Sequence, residues 1–202
     1  MDGKEINNIA LENDLKTIMD DLDIPAISIS IINNTNVVFN KNLGITNTET
    51  NKEVTENTMF EAASLSKPVF AYFVMKMVEK GKLDLDKSMF TYFHHPAIED
   101  KFIENYKKIT PRMVLSHSTG FPNWSEGKKI ILAHEPGNGF SYSGEAYQYL
   151  AAVIGSQNGV GYKDDLNEIF LKEVAKPLNL DHTSFTWNSY LQLHKAYGHQ
   201  DG

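Results

Sequence analysis

The chain has 202 residues, a net charge of −7 and no cysteine, and it is long enough to bury a substantial core. Its acidic balance, with no extended basic cluster, argues against nucleic-acid binding. The absence of cysteine excludes disulfides, thiolate metal sites and a cysteine nucleophile.

The first third of the chain predicts a helix followed by a β-hairpin. The N-terminus has no apolar core of a signal peptide and no apolar run is long enough to span a membrane. We therefore expect neither a signal peptide nor a transmembrane segment in this sequence. The compartment stays open between bacterial cytoplasm and periplasm. The helix ends before Pro25, and its apolar stripe is Leu11, Leu15, Ile18 and Leu22. Isoleucine alternates with serine over residues 26–32, residues 37–39 form the return strand, and residues 47–57 read as a surface loop.

The next segment contains a candidate nucleophile. Ser64 and Lys67 are three residues apart, a spacing that places two side chains on one face of a helix. A helix is predicted here because an apolar stripe follows Ser64 and Gly81 provides a stop signal. A serine hydroxyl needs an adjacent base to act as a nucleophile, and Lys67 is within reach to be that base. The alternative interpretation is that Ser64 is an N-cap and Lys67 a surface lysine.

The same spacing occurs a second time, at Ser125 and Lys128. Gly127 lies between these two residues, and a Phe-Pro-Asn-Trp segment precedes them. Such a sequence is typical of a loop, with no helix to orient the pair. We therefore interpret the second copy as a chance match.

The rest of the chain predicts mainly helices. Thr110 followed by Pro111 is a strong helix start, and further helices are expected from about Ser143 and from about Lys163, the latter stopping at Pro177. A helix and a hairpin followed by a long helical stretch indicate an α+β fold, or an α/β one, with helices packed on a sheet.

Several ordered blocks resemble the serine β-lactamase and penicillin-binding-protein superfamily, specifically the class C-like branch of β-lactamases, D-stereospecific peptidases (D-aminopeptidases) and family VIII esterases. The block around the candidate nucleophile, residues 59–68, is one of them. The others are residues 78–86, 109–122, 135–144, 176–185 and 196–198. The resemblance implies the β-lactamase/transpeptidase-like α+β fold, with an antiparallel sheet flanked by helices and a mainly helical lobe. It also implies one domain, divided into residues 1–80, a helical lobe of 81–176 and a return segment of 177–202.

The resemblance assigns roles to three residues. Ser64 would be the acylated nucleophile, Lys67 its proton partner, and Tyr142 the tyrosine of the family's Tyr-x-Asn motif, which moves protons to the leaving group and from water. No cofactor and no metal are needed for this chemistry. The implied function is serine hydrolysis of carboxylic esters, D-amino-acid peptides or β-lactams, all small-molecule substrates.

Two features depart from the family pattern. Gly144 stands where the motif has an asparagine, whose amide binds the amide group of a β-lactam or peptide in relatives. We therefore expect esters to be preferred, and Gly144→Asn to raise amide turnover. The chain also stops at Gly202, before the family's third motif, so we expect a sheet edge left open to self-association and a weakened oxyanion hole. Both departures favour the alternative that the chain is a non-catalytic, ligand-capturing member of the fold.

The remaining candidates are weaker. Phe121 and Trp124, with Tyr147, are candidate substrate-binding residues of an apolar acyl pocket, although aromatic residues at such spacing are usually core. The adjacent His94 and His95 would point apart, and no metal-binding motif is present. We interpret His117 as a hydrogen-bonded structural histidine.

Overall fold

The computed structural model describes residues 7–160 and 166–198. The strands are β1 (Ala26–Asn33), β2 (Asn36–Asn47) and β3 (Lys52–Glu53). The helices are α1 (Asn8–Asp21), α2 (Ser66–Glu79), α3 (Ile103–Tyr106), α4 (Pro111–Leu115), α5 (Gly144–Gln157), α6 (Leu166–Phe170) and α7 (Ser189–His194). An antiparallel sheet with helices makes the fold α+β, as predicted. None of the helices in the described ranges is long and apolar enough to cross a membrane.

The described residues form two compact units. One contains the residues up to Ala63 together with those from Trp187 onward, and the other contains Ser64–Thr186. The sheet lies in the first unit. Every residue of the candidate site lies in the second.

The hairpin of the first unit is larger than predicted. β1 and β2 pair in antiparallel register, with Ile27 opposite Leu43, and the isoleucines of β1 are half-buried at alternate positions. Asn34 and Thr35 both have positive φ, the conformation of a tight two-residue hairpin turn. β2 continues to Asn47, and β3 pairs with it inside the segment that we expected to be a loop. A lone hairpin was therefore the wrong expectation, because a third short strand extends the sheet.

The first helix is less buried than its apolar stripe suggested. Asn7 caps α1 by accepting the Ala10 N–H. Leu15 is buried, whereas Ile18 and Leu22 are 45% and 66% exposed. The apolar spacing identified the helix correctly but overstated how much of it is covered.

The second unit is built around a buried aromatic and aliphatic core. α2 contributes Phe73, Val74 and Met77, and the ring of Phe73 packs edge-on against that of Phe170 in α6, with centroids 5.8 Å apart. Helix α6 passes at Leu171–Ala175 into a π-helical turn. Its predicted start near Lys163 lies outside the described residues.

Two helices in this unit begin where the sequence predicted, and each has a side-chain cap. The Thr110 side chain accepts the Met113 N–H, and Pro111 is the first residue of α4. The Ser143 side chain accepts the Ala146 N–H and caps α5 at 2.9 Å. Because Tyr142 immediately precedes this cap, the start of α5 fixes the position of the tyrosine.

Candidate active site

Ser64 lies in a 3₁₀ turn, Ala63–Leu65, immediately before α2. The residue before it, Ala63, has φ of +44°, a left-handed conformation that costs an alanine about 1 kcal/mol or more. The N-cap of α2 is Leu65, which makes no side-chain capping hydrogen bond. The alternative interpretation of Ser64 as the helix cap is therefore wrong. The hydroxyl of this exposed serine is directed to other partners.

Two polar groups converge on that hydroxyl. Lys67 Nζ donates to Ser64 Oγ at 3.0 Å, as the three-residue spacing predicted. The Tyr142 hydroxyl donates to the same oxygen at 2.8 Å from a position 78 residues further along the chain. Lys67 Nζ also lies 4.7 Å from the centroid of the Tyr142 ring. A hydroxyl, a phenol and an ammonium group thus share one small volume.

The charge of Lys67 acts on the phenol. Hydrogen bonding to Lys67, then to Ser64, together with the Lys67 charge, lowers the pKa of the Tyr142 phenol. Burial raises the pKa of the neighbouring Tyr147, and the negative charge on Tyr142 adds to this effect. The pKa values of the two tyrosines therefore shift in opposite directions, and Tyr142 is the one better suited to gain and lose a proton.

His117 is a neighbour of Tyr142 that the sequence did not reveal. Its ring is stacked on that of Tyr142, with centroids 4.4 Å apart and an angle of 28° between the planes. Burial, and then the charge of Lys67, lower the pKa of His117. We expected a hydrogen-bonded histidine, and it does accept the Ser143 N–H. In the sequence, His117 lies just after the end of α4, and no local pattern indicated that it would contact Tyr142.

Trp124 lies against Gly144. A Cβ added at Gly144 would come within 2.6 Å of Trp124 Cη2. Asn123 holds the tryptophan there, because its side-chain oxygen accepts the Gly144 N–H at 3.0 Å and its carbonyl accepts the Glu145 N–H at 2.9 Å. The indole stays 57% exposed. Next to Tyr142, the first residue of α5, Gly144, has no side chain. The exposed indole of Trp124 covers it.

The structure places Phe121 elsewhere. Its side chain is fully buried and stacks on Tyr149 at 6.2 Å between centroids, so it lies in the core and not on the surface of the site. Ser125 and Lys128 lie in a turn, and Lys128 Nζ is 3.7 Å from Glu126. No hydrogen bond joins the Ser125 and Lys128 side chains within the described part of the chain. The second Ser-x-x-Lys match is a loop, as predicted.

Metal ligands do not cluster around this site. Over residues 7–160 and 166–198, no group of three or more His, Cys, Asp or Glu residues is arranged to hold an ion. The adjacent histidines diverge: His94 stacks on Phe90, whereas His95 packs edge-on against Tyr149.

Comparison with known proteins identifies the family of the chain. The model of the Beta-lactamase family matches residues 11–202. The chain belongs to this family. Family membership confirms the resemblance seen in the ordered blocks and places the chain in a superfamily of hydrolases.

One curated relative and two solved structures illustrate the similarity. The chain is 25% identical over 195 residues to Protein flp of Staphylococcus aureus (strain NCTC 8325 / PS 47), in an alignment covering 88% of this chain and 38% of flp. A class C beta lactamase superposes with a TM-score of 0.78 at 22% identity, covering 97% of this chain and 57% of the enzyme. EstCE1, a hydrolase with promiscuous acyltransferase activity, superposes with a TM-score of 0.75 at 25% identity, covering 92% and 54%. The predicted fold is therefore confirmed, and the chain spans less than two fifths of the curated relative's length.

Proposed function

We propose that Ser64 is the acylated nucleophile of a hydrolase that acts on carboxylic esters, with Lys67 and Tyr142 as its proton-handling pair. The observation that carries this proposal is the convergence of Lys67 Nζ and the Tyr142 hydroxyl on one exposed serine oxygen, at 3.0 and 2.8 Å. These distances lie within the reach required of a nucleophile and its base. Family membership supports the same reaction class.

The proposed reaction has two half-reactions. As Ser64 Oγ bonds to the acyl carbon, its proton passes to the Lys67–Tyr142 pair. When the tetrahedral intermediate collapses, the bond to the leaving alkoxide breaks and that proton goes to the alkoxide, which departs as an alcohol. A water molecule then loses its proton to the same pair and attacks the acyl-enzyme. Ser64 regains a proton as the carboxylic acid leaves.

The ester preference follows from Gly144 and Trp124. The resemblance implies that an asparagine amide at position 144 binds the amide group of peptide or lactam substrates. Here that donor is absent, and the indole of Trp124 occupies the space beside Gly144. An apolar surface in place of a polar donor suits an ester's acyl chain better than a peptide's amide. The similarity to EstCE1, a hydrolase with promiscuous acyltransferase activity, supports acyl transfer as the general reaction class.

Covalent labelling tests the nucleophile. A fluorophosphonate should add one phosphonyl group to the protein, detected by intact mass, and the adduct should map to Ser64. Ser64→Ala should abolish the adduct. The matched control is Ser125→Ala in the second Ser-x-x-Lys sequence, which should label normally. An adduct that survives Ser64→Ala or maps to Ser125 would refute the assignment.

Turnover separates the ester hydrolase from the alternative, a member of the fold that captures a ligand at Ser64 without releasing it. Short-chain p-nitrophenyl esters should be hydrolysed through many cycles, and faster than nitrocefin or benzylpenicillin. A single burst followed by a stable acyl adduct would support ligand capture. Efficient hydrolysis of penicillins would contradict the ester preference.

A further inference from the structure

His117 holds the chain on both sides of Tyr142. Its backbone carbonyl accepts the Ser141 N–H at 2.8 Å, and its side-chain Nδ1 accepts the Ser143 N–H at 3.1 Å. The imidazole lies between these two hydrogen bonds, stacked on the Tyr142 ring. One residue therefore contacts the residue before the tyrosine, the residue after it and the tyrosine itself.

The backbone of His117 is arranged for this contact. It has φ of +55°, a conformation that histidine and asparagine adopt more readily than most residues but that still costs free energy. Two hydrogen bonds fix the turn: the His117 N–H donates to the Val114 carbonyl and the Ser118 N–H to the Met113 carbonyl. Such left-handed residues are frequent at functional sites, where the surrounding structure holds them in place.

The hydrogen bond to Ser143 depends on the protonation state of the ring. An imidazole nitrogen accepts a hydrogen bond only when it carries no proton, whereas both nitrogens of the imidazolium are donors. Protonation would turn Nδ1 from an acceptor into a donor facing the Ser143 N–H. Ser143 also caps α5. Losing this acceptor would therefore release the segment that positions the Tyr142 hydroxyl on Ser64.

We propose that neutral His117 is a positioning residue for Tyr142, and that its protonation disengages the tyrosine from Ser64. This inference rests on the proposed function, since it assumes that Tyr142 handles protons for Ser64. It adds a regulatory property to that site: acylation falls in mildly acidic solution for a reason separate from the titration of the Lys67–Tyr142 pair.

The surroundings of the ring favour its neutral form. The titratable groups that face it are Lys67 from α2, Tyr142 before α5 and Tyr147 in α5, whose ring centroid lies 5.3 Å away. Burial and the Lys67 charge both lower the pKa of His117. The ring is therefore neutral near pH 7, and the proposed release occurs below the ordinary histidine value of about 6.5.

Two variants separate the acceptor from the ring. His117→Asn keeps a side-chain oxygen near Nδ1, tolerates positive φ and does not titrate. His117→Phe keeps a flat ring to stack on Tyr142 but has no acceptor. Rates of Ser64 phosphonylation by a fluorophosphonate are measured from pH 4.5 to 8 for both variants and for the unmodified chain, with thermal melting to confirm that each is folded.

The expected rates differ between the two variants. In the unmodified chain, the logarithm of the rate should fall by about one unit for each unit of decreasing pH. Below the pKa of His117 this slope should steepen to about two. His117→Asn should retain the rate at pH 7.5 within about fivefold and lose the steepening. His117→Phe should label about tenfold more slowly or worse at pH 7.5, the scale of one lost hydrogen bond to a buried group. Unchanged steepening in His117→Asn, or a normal rate in folded His117→Phe, would overturn the proposal.

NMR tests the hydrogen bond without any reaction at Ser64. Nitrogen-15 shifts of the imidazole should show Nδ1 unprotonated at pH 7, and the Ser143 amide should shift with the midpoint of the His117 titration. A protonated Nδ1, or a Ser143 amide indifferent to that titration, would refute the positioning role. If Ser64 labels at no pH, the proposed function fails, and this titration still decides whether His117 holds Ser143.

Discussion

The indole of Trp124 lies in the space that a side chain at Gly144 would need. Its Cη2 and Cζ2 atoms would be 2.6 and 2.7 Å from a Cβ at that position, well inside van der Waals contact. The glycine and the tryptophan are therefore coupled, and the effect of a substitution at one of them depends on the residue at the other. This contact changes the simple expectation that restoring asparagine at position 144 would raise amide turnover.

Gly144→Asn alone should displace the indole and lower stability by about 1–3 kcal/mol, the usual cost of overpacking. Adding Trp124→Ala should recover much of that loss, because the space is then free. Only the double variant should show raised amide or lactam turnover relative to ester. Urea denaturation and paired substrate assays of the four proteins in this cycle provide the measurement. Strictly additive stability effects would show that the two positions are independent.

Lys67→Ala should reduce acylation of Ser64 by about 10²–10⁴-fold, the range for loss of a proton-transfer group. The fold should be retained, because Lys67 contacts the site through its terminal amine. Lys128→Ala, in the loop copy of the motif, is the control and should label at the normal rate. A loss of less than tenfold for Lys67→Ala would mean that this lysine only supports the local structure.

Tyr142 should ionise at a lower pH than an ordinary tyrosine. Ultraviolet difference titration near 295 nm, comparing the unmodified chain with Tyr142→Phe, isolates its phenolate signal. Because Lys67 is the first cause of the lowered pKa, Lys67→Met should move this titration back toward the ordinary range. An identical midpoint in Lys67→Met would show that the ammonium group does not control the phenol.

Acid should destabilise the protein through His95 as well as His117. Burial lowers the pKa of His95 although Glu145 opposes the effect, and the pKa of His117 is lowered too. Below about pH 6.5 these histidines therefore bind more protons in the unfolded chain than in the folded chain. The free energy of unfolding should fall as the pH drops from 7 to 5.

His95→Asn should flatten this dependence. The asparagine oxygen can still accept the Ala97 N–H that His95 Nδ1 accepts, but it does not titrate. Urea denaturation at pH 7, 6 and 5 measures both slopes. A stability that rises toward pH 5 in the unmodified chain would contradict the direction of these pKa shifts.

The hairpin should promote self-association. β1 lies at one edge of the described sheet, and Ile32 and Val37, paired across the hairpin, are 63% and 61% exposed. Open edges with apolar side chains tend to pair with other chains, and lysine blocks such pairing. Ile32→Lys combined with Val37→Lys should shift sedimentation toward the monomer.

Leu22→Lys replaces an equally exposed apolar residue away from the sheet and serves as the control. It should leave the distribution of species unchanged. A monodisperse monomer before any substitution would show that this edge does not mediate association.

The sequence by itself determined the features that depend on neighbours along the chain. Three-residue spacing on a helical turn brought Lys67 to Ser64. Cap chemistry located the start of α4 at Thr110, and the apolar pattern located the start of α5 near Ser143. Ordered motif blocks identified the family, because their order along the chain is itself sequence information. The length of the hairpin was underestimated, since β3 is only two residues long and is stabilised by pairing with β2 and not by its own composition.

Only the tertiary structure decided how distant segments meet. Ser64 and Tyr142 are 78 positions apart in the sequence, so their contact depends on how the turn before α2 meets the segment before α5. The same holds for the ring of His117 on Tyr142 and the indole of Trp124 on Gly144. Local spacing fixes side chains within a turn or two of one another, whereas these contacts depend on how a whole core closes. For that reason the sequence pointed to Ser64 as the proposed nucleophile, and the structure revealed the residues that surround Tyr142, its proposed proton partner.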